Sequence, residues 1–420
     1  MTAPPVQTKV KFKLRNRLHK VDNIGNAQVQ FLDATATVVL SGVTNGHGVV
    51  ELNLSSLADG DYSCAMTAPN TDSNPIGPAL PAGVPVPDRI YRPVTLTVKI
   101  TGHTIKTATP DDPLAANVAV SGTLVVVDIQ PVWMRSPNHQ SRGGREISAI
   151  IVHHTACDLS SAVNTFLAAA SEVSPHYMID SDGQIIKWVQ DSIAANHAGF
   201  SRWAGVNGIN PVSIGIEIVH NNGPYPEAQY TALFGLLDRL TNAFSTIDLW
   251  NIVGHSDIGT NPNGRLGRKS GDPGLQFEWA RLENRRLGLL ASSGGTLDLS
   301  MYGGFFQSFP NGSLHLGDND SHHRFGGAIH NDIGGSPIRE LQTDLATIGY
   351  SVGTPDGDFG EKANQAILVF QEHFFAGGRG PAPSGRVDLQ TAVLLKSVVA
   401  REAVRSSHLG DFPVLTSNIA

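Results

Sequence analysis

The hydrophobic pattern of this chain changes period twice, which excludes one uniform architecture. In the first third, apolar residues alternate with polar ones: KVKFKL at Lys9–Leu14, RPVTLTVKI at Arg92–Ile100 and GTLVVVDI at Gly122–Ile129. A period of two buries one face of a strand and wets the other. With Gly, Asn and Pro clusters between the runs, it predicts an all-β sandwich over residues 1–130. Asn45-Gly46 reads as a hairpin turn within it. From about Arg145 to Leu287 the rhythm becomes mixed. REISAIIVHH is a continuous apolar, β-branched run, as expected of a buried strand, and SIGIEI is another. LSSAVNTFLAAASEV and PEAQYTALFGLLDRLTNAF instead carry helical spacing. Strand, helix, strand, helix predicts a central α/β domain over 145–287, a mixed sheet flanked by helices. Residues 288–336 are rich in Gly and Ser with little period and read as a linker or extended segment. In the last block, 337–400, Ile338, Leu341, Leu345 and Ile348 fall at helical spacing before Gly349, which predicts a small helical domain.

Composition narrows the function classes. The 420 residues include 30 Lys+Arg and 37 Asp+Glu, a net charge of −7, so a general polyanion binder is excluded and no nucleic-acid partner is expected. No run of eighteen apolar residues exists, and no transmembrane segment is expected. The first twenty residues lack an apolar core, so no classical secretory signal is read there. Cys64 and Cys157 are the only cysteines and form no disulfide framework.

The residues suited to chemistry lie at strand ends and in one loop. His153 and His154 end a strand, and adjacent strand residues face opposite ways, so only one of them can face a given site. Downstream, NIVGHSDIGTNPNGRLGRKSGDPG places His255, Asp257, Lys269 and Asp272 in a Gly- and Pro-rich stretch. Two imidazoles and one carboxylate with an open fourth position form a set suited to catalytic zinc. In SIGIEI, Ser213, Gly215 and Glu217 share the face opposite Ile214, Ile216 and Ile218. A glutamate there, beside a metal-bound water, can serve as general base. A solvated Glu on a half-exposed strand is the bland alternative.

The central block resembles the zinc-dependent N-acetylmuramoyl-L-alanine amidases of the AmpD type, relatives of the animal peptidoglycan recognition proteins. The likeness is carried by IVHHT at Ile151–Thr155, SPHY at Ser174–Tyr177, DGQII at Asp182–Ile186 and NHAG at Asn196–Gly199. It continues through SIGIEI at Ser213–Ile218, GHSDI at Gly254–Ile258 and RKSGDPG at Arg268–Gly274. The resemblance implies His153, His255 and Asp272 as zinc ligands and Glu217 as catalytic base. The family lysine implies Lys269, which stands three places before Asp272 where the family has two, with Ser270 in the usual place. His176 and His197 match family positions near the substrate groove, with a packed, hydrogen-bonded core histidine as the equal alternative, and Trp203 is a candidate groove wall, with core packing as the alternative. The block Ile338–Gln371 resembles the small peptidoglycan-binding domains of wall hydrolases, and the NAQVQFLD to GDYS stretch resembles transthyretin-like or carboxypeptidase-regulatory sandwiches.

These resemblances imply a wall hydrolase that cuts the amide between the lactyl group of N-acetylmuramic acid and L-alanine, using Zn²⁺, Glu217 for proton transfer and Lys269 for the oxyanion. The alternative is a non-catalytic recognition module, which the complete ligand set disfavours. Peptidoglycan is the expected partner, tethered by the C-terminal domain, with action at the periplasm or wall. Delivery would follow a non-classical route, by injection or phage lysis, with a secretion-apparatus spike or an immunity protein as the candidate protein partner. His315, His322, His323 and His330 crowd the linker and read as a solvated loop, with a second metal site as the alternative. Asp356 and Asp358 read as a turn before a helix, in the absence of a full calcium-binding pattern.

Overall fold

The computed structural model describes residues 9–72, 86–289, 291, 302, 311–315, 324–325, 328–329 and 337–408. Most of the 288–336 linker, including His322, His323 and His330, lies outside the described residues. So does much of the proline-rich stretch near 73–85.

Alternation shapes the first third. In the strand Lys9–Asn16, Val10, Phe12 and Leu14 are buried while Lys9 and Lys11 reach solvent. This strand lies between Val49–Asn53 and Leu124–Ile129 in a four-stranded sheet. A five-stranded sheet faces it, running in order Val38–Val43, Gln28–Leu32, Gly60–Thr67, Val94–Thr101 and Thr104–Pro110. Phe31, Met66, Leu96 and Val98 of the second sheet share one core with Phe12, Leu14 and Val127 of the first. The Asn45-Gly46 expectation needs correction: the strands on either side of it belong to different sheets. The turn itself forms, with the Asn45 side chain accepting from the N–H groups of His47 and Val49 at 2.9 and 3.1 Å. It carries the chain across the core rather than closing a hairpin.

The central sheet has seven strands in the order Ile252–Gly254, Ala149–His154, Ser213–Ile218, Tyr177–Ile179, Ile185–Lys187, Pro131–Met134 and Arg89–Tyr91. Ala149–His154 pairs in parallel on both sides, which explains its unbroken apolar run. The last strand comes from the N-terminal third, so the two regions share a sheet. Ile150, Val152, Ile214, Ile216 and Ile218 face the helix Glu227–Ala243, packing on Leu233, Leu236, Leu237 and Leu240. The opposite face carries Ile151, His153, Gly215 and Glu217. A second helix, Leu159–Leu167, packs Val163 and Phe166 against Met178 and Trp188.

Three helices, Pro337–Ile348, Glu361–Phe374 and Leu389–His408, form the C-terminal block. Their core is continuous with the central domain: Ile338, Leu341, Phe359 and Phe370 cluster with Ile151, Val253 and Ile258. Trp250 donates its indole N–H to Ile348 O at 3.1 Å. Of the linker, Leu314 bridges Val387, and Tyr302 is buried with its hydroxyl donating to Asp344 at 3.0 Å. Asp356 accepts from the Gln342 side chain at 2.8 Å and from Asp358 N–H at 3.0 Å, as a turn requires. Among the described residues, no helix is long and apolar enough to cross a membrane.

Candidate metal centre

His153 ends its strand with only 1% of its surface exposed. Parallel register sets it beside Glu217 on the neighbouring strand. His255 opens the four-residue helix that follows the edge strand Ile252–Gly254. Asp272 returns in the loop beyond, where Ser256 N–H donates to its carbonyl at 2.8 Å. Gly254 lets that loop come close, since a Cβ there would lie 2.9 Å from Pro273 Cδ and 3.2 Å from Asp272 O.

The hydrogen bonds behind the imidazoles fix their tautomers. Ser213 Oγ donates to Ile209 O at 2.8 Å, so it can only accept from His197 Nε2, 3.1 Å away. His197 Nδ1 is then an acceptor, and the bond at 3.0 Å to His153 Nε2 places the proton on His153. In the neutral ring His153 Nδ1 is then bare. His255 Nε2 lies 3.1 Å from Ala198 O, which only accepts, and 3.3 Å from Arg268 Nη2; in the neutral tautomer that donates to the nearer carbonyl, His255 Nδ1 is bare as well. Both bare nitrogens face Asp272 Oδ2, at 3.7 Å from His153 and 3.1 Å from His255. Asp272 Oδ1 is occupied separately by the backbone N–H of His154 at 2.9 Å.

One ligand atom from each of His153, His255 and Asp272 lies within 4.8 Å of the others. Three lone pairs converging with no proton between them repel one another unless a cation intervenes. Ligands tetrahedrally bound to zinc at 2.0–2.1 Å stand about 3.3 Å apart, and the two spacings to Asp272 bracket that value. The donor set fits a zinc-like cation.

Electrostatics agree with this. Burial, then the neighbouring His153, pulls His255 down to about 4, so it is neutral near pH 7. Glu217 is pushed up to about 7, chiefly by burial, and its Oε2 is buried with no hydrogen-bond partner among the described residues. Lys269 is exposed at the rim, and its charge reaches both Glu217 and His255.

Three expectations from sequence change here. His176 is fully buried, accepts Gly215 N–H at 3.0 Å on Nδ1 and reaches Ile193 O at 2.9 Å with Nε2. With both nitrogens taken by backbone, it supports the sheet and lines no groove. His197 sits behind His153 as its hydrogen-bond partner. Trp203 is 3% exposed, donates to Asn251 Oδ1 at 2.9 Å and meets Tyr350 edge-on at 5.2 Å, so it packs against the C-terminal block.

Sequence reasoning gave Ser213, Gly215 and Arg268 no role at the site. A Cβ at Gly215 would fall 2.4 Å from the His197 ring, so this glycine is what admits the imidazole. Arg268 donates to Ala198 O at 2.8 Å and Phe200 O at 3.2 Å, beside Gly199, whose positive φ of 54° bends the chain there. The signal was present: Ser213 and Gly215 share the Glu217 face of their strand.

Fold and site together define a mixed α/β domain built around a candidate His₂–carboxylate metal centre. Residues 143–274 match the family model for N-acetylmuramoyl-L-alanine amidase, and residues 334–395 match that for a peptidoglycan binding domain. The chain is 26% identical over 273 residues to the N-acetylmuramoyl-L-alanine amidase AmiD of Escherichia coli, covering 61% of this chain and 83% of that one. It is 36% identical over 110 residues to the 1,6-anhydro-N-acetylmuramyl-L-alanine amidase AmpD of Haemophilus influenzae. That match spans 26% of this chain and 56% of the relative's length. A solved structure of E. coli AmiD with the substrate anhydro-N-acetylmuramic acid-L-Ala-D-gamma-Glu-L-Lys overlays with a TM-score of 0.44 at 22% identity, covering 62% of this chain and 90% of that one. Residues 143–274 are thus a domain of the N-acetylmuramoyl-L-alanine amidase family, and residues 334–395 a peptidoglycan-binding domain.

Proposed function

We propose that this chain is a zinc-dependent amidase that hydrolyses the amide between the lactyl group of N-acetylmuramic acid and L-alanine in peptidoglycan. The observation that carries the reading is the convergence of His153 Nδ1, His255 Nδ1 and one Asp272 carboxylate oxygen on a single point. His153, His255 and Asp272 would hold the ion. When bound, zinc supplies Lewis acidity and makes hydroxide available near neutral pH by lowering the pKa of water to about 7.

The remaining chemistry belongs to the chain's own side chains. Glu217 Oε2, desolvated and unpartnered, takes the proton of the attacking water. As the C–N bond breaks, Glu217 returns that proton to the departing L-alanine nitrogen, leaving a lactyl carboxylate and a free amine. Lys269 lies at the rim, where a cation offsets the charge that develops on the carbonyl oxygen. His197 and Ser213 hold His153 in the tautomer that binding requires.

Peptidoglycan as substrate places the action at the cell wall or periplasm. The sheets before residue 130 would then serve delivery or binding. A secretion spike, an immunity protein or a phage lysis route fits that role on the strength of the domains' company.

The test is turnover of a soluble muramoyl peptide, with products read by mass spectrometry. Wild type yields the free lactyl acid and the free peptide amine. Glu217→Gln is expected to keep its metal and lose about 10²–10⁴-fold in kcat. Full activity in that variant would overturn the assignment of the base.

A further inference from the structure

The helix Glu361–Phe374 sends two consecutive side chains into the amidase domain, at the segments that carry two of the proposed ligands. Glu372 accepts from the Ser270 hydroxyl and from Gly271 N–H, the latter at 3.0 Å. His373 sets Nδ1 2.8 Å from Asp257 Oδ2 and stacks on Trp279 at 4.0 Å. The same Asp257 carboxylate accepts Gly254 N–H at 2.8 Å and the Tyr350 hydroxyl at 2.8 Å. Asp257 is 0% exposed and His373 2%. Gly254 immediately precedes His255, and Gly271 immediately precedes Asp272. One turn of one helix therefore fixes the backbone just before two of the three proposed ligands.

The loop's length gives this grip a reason. Lys269 stands three places before Asp272, with Ser270 and Gly271 between them. Glu372 bonds those two residues. A longer, glycine-bearing loop has more conformations to lose when its aspartate is held in place, and a buried-side acceptor offsets that freedom. The apolar packing runs the same way, because Ile151 and Val253 of the site-bearing strands share a core with Ile338, Leu341 and Phe370. A tether for polymer needs none of these contacts.

We infer that Glu372 and His373 are positioning residues for the metal centre, making the C-terminal helices a structural part of the catalytic site as well as a wall-binding element. This rests on the zinc reading proposed above.

Full-length Glu372→Ala and Glu372→Gln are compared with wild type in three measurements: zinc affinity by chelator competition, kcat and KM on a soluble muramoyl peptide, and pelleting with purified wall. Loss of a residue that orients ligands weakens metal binding by roughly 10–100-fold, and Glu372→Ala is expected to lose about tenfold, with kcat falling more than KM rises. Glu372→Gln can still accept from Gly271 N–H and is expected to recover most of the affinity. Ser270→Ala, at an exposed position, removes one of the two bonds. It serves as the folding-tolerant arm, with an expected drop of about twofold. Unchanged zinc affinity in both Glu372→Ala and Ser270→Ala, with only wall pelleting reduced, would overturn the inference. Absence of zinc binding in wild type would instead overturn the zinc reading on which it rests.

Discussion

His197 donates from Nε2 to Ser213 and so leaves Nδ1 to receive the proton of His153, which in turn leaves His153 Nδ1 bare toward Asp272. The single hydroxyl of Ser213, committed to Ile209 O, thereby orients a proposed ligand two hydrogen bonds away. The same neutrality has a cost in acid. His176 is held down to about 3, first by burial and then by the Arg142 guanidinium, while in an unfolded chain it titrates near 6.5. Between those values the unfolded chain binds the extra proton, so stability falls as the pH drops below 6.5 and is retained above it. The metal-free protein is expected to lose about 2 kcal/mol from His176 alone between pH 7 and pH 5. Urea unfolding at the two pH values checks this, with His176→Gln expected to show a shallower pH dependence. An equal slope in both proteins would contradict it. Strand ends and a Gly-Pro loop marked where distant side chains can converge, and the family resemblance picked His153 over His154 and Asp272 over Asp257 for the candidate group. For His176 and Trp203 the packed alternative holds, and the sequence left it open because residue type and family position do not say whether a side chain points into a groove or is enclosed in packing.

The strand Ser213–Ile218 was read correctly as two-faced, since three isoleucines in alternation leave little choice of face. The spacing could not say that its small residues make room for a ring from another segment. Gly215 shows the difference. Its backbone has ordinary strand geometry, yet a Cβ would press within 2.4 Å of His197. Gly215→Ala is expected to destabilise the fold by about 1–3 kcal/mol through overpacking and to weaken zinc binding about tenfold by displacing the partner of His153. Denaturant unfolding and chelator competition measure the two effects, and wild-type values in both would contradict the account. Asn45-Gly46 teaches the converse lesson. Asx turns are set by neighbouring residues and were legible, whereas the sheet each flanking strand joins depends on distant partners.

Across the whole molecule, the modules suggested by changing period are less separable than the sequence implied. The strand Arg89–Tyr91, far upstream of the amidase residues, forms an edge of the central sheet, and Trp133 donates to Pro87 O at 2.7 Å. At the other end, the helical block shares its core with the strand that carries His153. Period analysis assigns elements to types but has no access to contacts between them, so these seams were not readable. What the sequence did reveal is that residues more than a hundred positions apart belong to one chemical group. Metal content measures that grouping most directly. After purification and equilibration with limiting zinc, wild type is expected to hold about one ion per chain, with His153→Ala, His255→Ala and Asp272→Ala each losing it. Stoichiometric zinc retained in all three variants would contradict the account.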